Sequence, residues 1–239
     1  MVFRSARRRQ RPEPAGLRPR VASTALDRVD FTEFAPEPLP FLGQAACIQL
    51  EFFELLAQAV ASSPGLAPKE GVSVVAGVAL RRHHRLLDEV RALGGEPVEV
   101  MQPFADATLE FRDQIQGADW WELLLGIHVA SGMLDDYFAT LAKALPRELA
   151  ARVADILAPN ERATGVLEAE LERGIRETPG LGDRLALWGR SLVGDVLLVA
   201  RSALRASEAG DRVGQEVEPV FTELIAQHTR RMDALGLTA

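Results

Sequence analysis

The chain has 239 residues, a net charge of −7 and a single cysteine. This length suits one domain with a substantial core, and one cysteine excludes a disulfide framework. No apolar run approaches ~18–20 residues without a charged or polar break, so we predict no membrane span and a cytoplasmic location.

The first 24 residues differ in charge from the rest of the chain. They hold seven arginines against one acid, Glu13, although the whole chain is net acidic. They also lack the apolar stretch of a secretory signal peptide. We predict that residues 1–33 form a basic, disordered tail and that residues 34–239 form a helical domain. The alternative is an arm that binds RNA by neutralising phosphates, for which the candidate residues are Arg7, Arg8, Arg9 and Arg11.

Helical periodicity and turn signals then predict a series of helices in chain order. They run over Phe41–Ser62, from Pro68 to Gly94, over Val98–Gln116, from an Asp119 cap to Leu145, over Arg147–Leu157 and Ala163–Glu177, from Asp183 to Ala209, and over Val213–Leu235. No alternating strand pattern and no internal repeat is visible, so the predicted class is all-α. Four of the helices are long, which favours a ferritin-like four-helix bundle with additional short helices and a C-terminal helix.

Each long helix carries a polar residue in the middle of its apolar stripe: Gln49, His83, His128 and Asp195. A polar group buried without a partner costs ~1–3 kcal/mol, and more if it is charged. We therefore expect these side chains to meet one another inside the bundle, which is where helical bundles place metal and cofactor sites.

The best-known such site holds two metals between a Glu from each of two helices and a Glu-x-x-His pair from each of the other two. In this chain Leu80 lies three residues before His83, where that motif needs a Glu. A leucine binds no metal, so the motif is broken at that point.

Several short segments together resemble one family. They are Phe52-Phe53, His83-x-x-Leu86-Leu87, Met101-x-Pro103-Phe104, Asp119-Trp120-x-Glu122 and Leu185-Ala186-Leu187-Trp188-Gly189-Arg190. The chain resembles the actinobacterial ferritin-like proteins related to tRNA isopentenyl-adenosine hydroxylases, the MiaE-like family. This resemblance implies a ferritin-like domain over residues 34–239 and, in intact members, an oxygen-activating di-iron centre.

At the ligand positions that the resemblance implies, the chain departs from the family pattern. An expected acid is replaced by Gln49, the Glu of Glu-x-x-His by Leu80, another acid by Ser131 and a histidine by Arg162. Asp135 and Asp136 lie one turn beyond Ser131. The resemblance leaves His83 and Asp195 as surviving metal ligands, so we predict a degenerate di-iron site.

Each of these residues also has a structural interpretation. Gln49 and His83 are equally compatible with hydrogen-bonded core positions. His128, Ser131 and Asp135 share a helix face and suggest a hydrogen-bond network. Asp195 is expected to pair with Arg190, Arg81 or Arg85, and we expect His228 to be solvated. An alternative metal site is mononuclear, with the ligands His83, His128 and Asp195.

The predicted function is that of a non-catalytic scaffold or binding protein, with no catalytic residue, no cofactor and a homodimer or an RNA as partner. In that case Leu80, Arg81 and Arg85 should fill the former metal site. A second hypothesis is an iron-dependent hydroxylase acting on modified tRNA. A third is a carrier for a small apolar ligand.

Overall fold

The computed structural model describes residues 36–205 and 218–237, without the side chains of residues 195, 198–205 and 218–221. The predicted basic tail, residues 1–33, and its candidate RNA-binding residues Arg7, Arg8, Arg9 and Arg11 lie outside the described residues. Its disorder and its RNA contact therefore stay predictions.

The described residues form helices joined by short loops, and they contain no strand. The predicted all-α class is confirmed. The α-helices are α1 Pro38–Ala61, α2 Leu66–Ala92, α3 Pro97–Met101, α4 Ala105–Ile115, α5 Trp120–Ala142, α6 Arg147–Ile156, α7 Glu161–Glu177, α8 Leu181–Arg205 and α9 Glu218–Ala234.

One predicted helix is divided. The segment predicted as a single helix over Val98–Gln116 consists of α3, a 3-10 turn at Gln102–Phe104, and α4. Pro103 lies in that turn, and because proline has no backbone N–H it cannot continue the α-helical hydrogen-bond ladder. The chain changes direction here and returns along α1.

Local signals in the sequence fix the helix ends. Asp119 caps α5, because its Oδ1 accepts hydrogen bonds from the backbone N–H groups of Trp121 and Glu122, each at 3.0 Å. This is the cap that the sequence predicts. Asn160 caps α7 in the same way, with its Oδ1 2.9 Å from the Ala163 nitrogen. Gly94 has a φ of 79° directly after α2, a conformation in which glycine avoids steric strain.

The long helices pack around one hydrophobic core. α1 and α2 form the most extensive helix pair, and α5 packs against α1, α7, α8 and α9. α7 packs against both α2 and α5. Gly174 allows its close approach to α5, because a Cβ at Gly174 would lie 2.5 Å from the ring of Trp121.

α1 is long and apolar enough to cross a membrane by length and composition. In this fold 67% of its most apolar window is buried against the other helices. That burial is typical of a core helix in a bundle. The absence of a membrane span, like the cytoplasmic location, stays a prediction.

Two of the segments that carry the family resemblance, Asp119-Trp120-x-Glu122 and Leu185–Arg190, meet where the N-terminus of α5 contacts α8. Arg184 donates to Asp119 Oδ2 at 2.6 Å and to Glu122 Oε1 at 2.8 Å. Trp188 Nε1 donates to the Glu122 carbonyl at 3.0 Å, and the Ala118 N–H donates to Glu122 Oε2 at 2.8 Å. We call Asp119, Glu122, Arg184 and Trp188 the α5–α8 joint. It holds two helices in register and leaves its side chains hydrogen-bonded to one another.

Candidate functional site

A cavity of about 290 Å³ lies among α1, α2, α5 and α7, with α9 contributing Arg231. We call it the core cavity. Its apolar wall includes Phe52, Leu56, Val75, Ile127 and Leu167. Its rim includes Pro159, Asn160 and Thr164, which are exposed, so the cavity opens beside the start of α7. No described residue of α8 lines it.

One polar group of the cavity is a network centred on Asp135, which we call the Arg82 cluster (Arg82, Asp135 and Gln49). Arg82 Nη1 donates to Asp135 Oδ2 at 2.6 Å, and Gln49 Nε2 donates to Asp135 Oδ1 at 3.0 Å. Arg82 Nη2 also donates to the Ala158 carbonyl at 2.7 Å. The side chains of Arg82 and Asp135 are only 13% and 20% exposed. Both oxygens of this carboxylate are therefore engaged by donors.

Burial and the neighbouring cation act on Asp135 in opposite directions. Burial raises the pKa of Asp135 above its ordinary value, and the Arg82 guanidinium together with the Gln49 amide reduces that rise. The charge of Arg82 occupies the place beside the carboxylate where a metal cation would need to approach. Two cations at such short range repel strongly in a poorly solvated interior.

His83 does not join this cluster. Its Nδ1 lies 2.8 Å from the Ala46 carbonyl oxygen, and because a carbonyl only accepts, Nδ1 carries the proton in this hydrogen bond. Burial lowers the pKa of His83. His83 lies outside the lining of the core cavity. It is a hydrogen-bonded core histidine linking α2 to α1.

A second polar group of the cavity lies between α5 and α9. Arg231 Nη2 donates to Asp136 Oδ2 at 2.5 Å and to the Gly132 carbonyl at 3.0 Å. Gly132 makes room for it, since a Cβ there would lie 2.3 Å from Arg231 Nε. Arg231 Nη1 is buried and has no hydrogen-bond partner among the described residues. Within that part of the chain, a cationic N–H group is thus left without an acceptor.

His128 lies one helical turn before Gly132 and lines the same cavity. It is 4% exposed, and its Nε2 has no hydrogen-bond partner in the part of the chain that the structure describes. Glu168 Oε1 is 4.0 Å from that nitrogen, beyond hydrogen-bonding distance. Burial, with a smaller contribution from the positive charge of Arg231, lowers the pKa of His128 to about 4. His128 is therefore neutral at pH 7.

The structure brings together some of the predicted site residues and separates others. Gln49, His128, Ser131 and Asp135 all line the core cavity. Leu80 is half-buried and Arg162 is exposed, and both lie outside that lining. Asp195 lies on α8, but its side chain is outside the described residues.

The expectation that Leu80, Arg81 and Arg85 fill the former metal site is wrong. Arg81 and Arg85 are exposed, and Arg85 pairs with Asp155 at 2.6 Å. Arg82 enters the core instead. The sequence did contain a signal for this, because Arg82 follows Val75, Val78 and Ala79 at helical spacing on the buried face of α2. Because Arg81 and Arg85 are also basic, the sequence alone does not single out Arg82.

Two further expectations need correction. His228 is 2% exposed and both of its ring nitrogens lack hydrogen-bond partners among the described residues, so it is buried and not solvated. In the predicted network of His128, Ser131 and Asp135, the Asp135 carboxylate is bound by Arg82 and Gln49, and His128 Nε2 has no partner among the same residues. Among the expected partners of Asp195, Arg190 donates from Nε to the Ala186 carbonyl at 3.2 Å.

The donor set of the cavity does not fit a di-iron centre. Among the described side chains, no three His, Cys, Asp or Glu residues are grouped so that they could hold one metal ion. The carboxylate of Asp135 is already bound by Arg82 and Gln49. The mononuclear alternative is not favoured either, because His83 bonds to the Ala46 carbonyl and lies outside the cavity that His128 lines.

A comparison with protein families agrees with this fold. The family model described as a ferritin-like domain of actinomycetes matches residues 38–214, which is most of the chain. The chain therefore belongs to this family of ferritin-like domains. No curated protein matches the chain.

Proposed function

We propose that this ferritin-like chain is a non-catalytic binding protein related to the MiaE-like hydroxylases, with the Arg82 cluster in place of their di-iron centre. The observation that carries the proposal is the ion pair between Arg82 and Asp135 inside the bundle, completed by the Gln49 amide. A ferritin-like metal site needs several free carboxylates at this depth. Here the carboxylate is bound to a fixed cation of the chain.

The chemistry of the replacement supports this proposal. Removing a metal from a bundle leaves buried carboxylates that repel one another and cost free energy. The chain has a glutamine, a leucine and a serine at three of the implied ligand positions, Gln49, Leu80 and Ser131. Arg82 supplies one guanidinium for Asp135, which lies one turn beyond Ser131. Such a network is stable as a hydrogen-bonded structural unit without any bound ion.

The shape of the site supports binding more than a purely structural role. A solid bundle core would leave no opening of this size, since protein interiors are close-packed. The core cavity has an apolar wall, a few polar groups and an exposed rim, which is the usual composition of a small-molecule site. The homodimer, the contact of Arg7, Arg8, Arg9 and Arg11 with RNA, and the cytoplasmic location stay predictions.

Metal content tests the proposal. The full chain is purified without an affinity-metal step, incubated with and without ferrous iron under anaerobic conditions, desalted and measured by elemental mass spectrometry. We expect only trace iron in both samples. His83→Ala and Asp195→Ala are measured in parallel, with His84→Ala as the matched control because His84 is exposed.

Near-stoichiometric iron that is lost in His83→Ala and Asp195→Ala, and kept in His84→Ala, would overturn the proposal. It would restore the hypothesis of an iron-dependent hydroxylase acting on modified tRNA. Iron that none of these three substitutions affects would place a metal elsewhere in the chain and would also contradict a metal-free function.

A further inference from the structure

We infer that the core cavity binds a small monocarboxylic acid, with its carboxylate against Arg231 and His128 and its apolar body against the α1, α2 and α7 walls. This inference rests on the proposed binding function and names its ligand class. It is carried by two independent features: the apolar volume of the cavity, and two buried polar atoms of lining residues that have no hydrogen-bond partner among the described residues.

The unpaired atoms define what the ligand must offer. Arg231 Nη1 is a buried donor with no acceptor among the described residues, and leaving a charged group unpaired in this way is unfavourable. His128 is neutral at pH 7, and in the tautomer with its proton on Nε2 it is a second donor without an acceptor. Oxygen atoms of a ligand would satisfy both.

The helix geometry places these two donors in one region. His128, Gly132 and Asp136 are spaced by four residues on α5 and therefore share one face. Arg231 contacts the second and third of these positions through its bonds to the Gly132 carbonyl and to Asp136. Both His128 and Arg231 line the core cavity.

The charges of the cavity favour one anionic group over two. Arg82 is paired with Asp135 and Arg231 with Asp136, so each cation already faces one carboxylate. A dianion would meet Asp135, Asp136 and Glu168, whose Oε1 lies 4.0 Å from His128 Nε2, and an amine would meet Arg231. A single carboxylate can use the free Nη1 donor of Arg231 through a charge-assisted hydrogen bond, which is stronger than one to a neutral carbonyl.

The volume limits the size of the apolar body. About 290 Å³ is near the lower end of small-molecule pockets. At roughly 30 Å³ for each water-sized group, it holds a ligand of roughly ten non-hydrogen atoms. The exposed rim at Pro159, Asn160 and Thr164 gives such a ligand a way in.

The test uses the full chain with straight-chain monocarboxylates as probes: butanoate, hexanoate, octanoate and decanoate. Titration calorimetry and thermal unfolding are followed for each, with hexan-1-ol and hexylamine as uncharged and cationic probes of matched length. We expect the carboxylates of intermediate length to raise the Tm in a concentration-dependent way. The alcohol should bind more weakly and the amine should not bind.

Two variants assign the binding to this cavity. Arg231→Met should weaken carboxylate binding by about tenfold or more, equivalent to about 1.4 kcal/mol. The matched control is Arg230→Met on the same helix, because Arg230 is exposed and pairs with Glu223. Ser131→Leu fills the cavity from α5 and should abolish binding while circular dichroism shows an unchanged helix content.

The inference is wrong if no carboxylate binds at millimolar concentration, or if binding survives both Arg231→Met and Ser131→Leu. Equal affinity for hexanoate and hexan-1-ol would overturn the carboxylate assignment. These failures are distinguishable from failure of the proposed function. If neither iron nor a carboxylate binds, only the assignment of the ligand is contradicted. If iron is retained through His83 and Asp195, the proposal of a non-catalytic function is contradicted.

Discussion

Two regions of this protein place polar side chains in the interior of an apolar bundle, and they differ in how completely those side chains are paired. At the α5–α8 joint the Glu122 carboxylate accepts from Arg184 and from the Ala118 N–H, and Trp188 donates to its carbonyl. In the core cavity, Arg231 Nη1 and His128 Nε2 are buried without partners. The joint is complete by itself, whereas the cavity is not.

The α5–α8 joint pairs its own side chains and so has a structural role, whereas the core cavity leaves polar atoms that a ligand can pair. The segments Asp119-Trp120-x-Glu122 and Leu185–Arg190 carry much of that resemblance, and together with Arg184 they build the joint. They therefore explain why the chain keeps the ferritin-like fold. Of the positions at which a di-iron centre is expected, Gln49 and Ser131 line the cavity with changed residue types, whereas Leu80, His83 and Arg162 lie outside its lining. The residues that build the α5–α8 joint therefore differ from those that line the core cavity.

The largest effect that we expect arises in the cavity on acidification. The pKa of His128 is lowered to about 4 in the folded state, below the ordinary value of 6.5. The unfolded state therefore binds a proton first, and stability falls as the pH drops from 6.5 towards 4. At 1.36 kcal/mol per pKa unit, this loss reaches about 3 kcal/mol. His128→Phe should remove it.

Urea denaturation of the wild type and His128→Phe at about pH 7 and about pH 4.5 measures this term, with the exposed His84→Phe as the control. Burial also lowers the pKa of His83 and His228, which adds to the acid sensitivity. It raises the pKa of Glu51 and Asp135, which acts in the opposite sense. The contribution of His128 is the difference between His128→Phe and His84→Phe in how much the free energy of unfolding changes with pH. An equal pH dependence in the wild type and both variants would contradict the burial of His128 as a neutral group.

The next largest effect tests the joint. Arg184→Met leaves Glu122, which is 8% exposed, without its cation, and should lower the free energy of unfolding by about 2 kcal/mol. The half-exposed position of Arg184 reduces the value below that of a fully buried pair. Arg190→Met on the same helix is the control, since Arg190 is exposed and bonds to the Ala186 carbonyl. Urea denaturation that gives equal losses for both variants would show that the joint pairing is not stabilising.

A smaller effect is expected in the Arg82 cluster. Arg82→Met should cost about 1–2 kcal/mol, because Asp135 loses its cation but keeps the Gln49 amide and can take up a proton at low cost. The double variant Arg82→Met/Asp135→Asn should recover most of this loss, because it leaves no unpaired charge. Chemical denaturation of the single and double variants measures the coupling.

Arg85→Met serves as the matched control for Arg82→Met. Arg85 lies three residues further along α2 and pairs with Asp155, but the two side chains are 50% and 74% exposed. Exposed pairs of this kind contribute little. If Arg85→Met lowered the free energy of unfolding as much as Arg82→Met, the buried pairing of Arg82 would stabilise the protein no more than an exposed pair on the same helix.

The sequence predicts the helices well because their signals are local. Periodic apolar residues, the Asp119 cap and the Gly94 stop depend on neighbours a few positions away. It predicts neither the packing of α7 against α2 nor the entry of Arg82 into the core, because both depend on which helices meet. Gly71 of α2, for example, lies beside Val166 of α7, and only the three-dimensional arrangement shows what approaches it.

The candidate site was predictable in part for the same reason. Gln49, His128 and Asp135 lie on apolar stripes, so their burial follows from periodicity, and they do line one cavity. Arg231 follows from no such pattern. It belongs to a mostly polar helix, and its role depends on the close approach of α9 to Gly132. The burial of His228 on that helix was missed for the same reason.

The smallest effect is expected at a position where the family resemblance implies a ligand. Arg162 is exposed, so Arg162→Ala should change the free energy of unfolding by no more than about 0.5 kcal/mol. Asn160, two residues earlier, caps α7 and lines the cavity, so Asn160→Ala should cost about 1 kcal/mol. Urea denaturation of the two variants compares them directly. A larger loss from Arg162→Ala than from Asn160→Ala would mean that Arg162 contributes to the core, and the implied ligand position would then belong to the cavity after all.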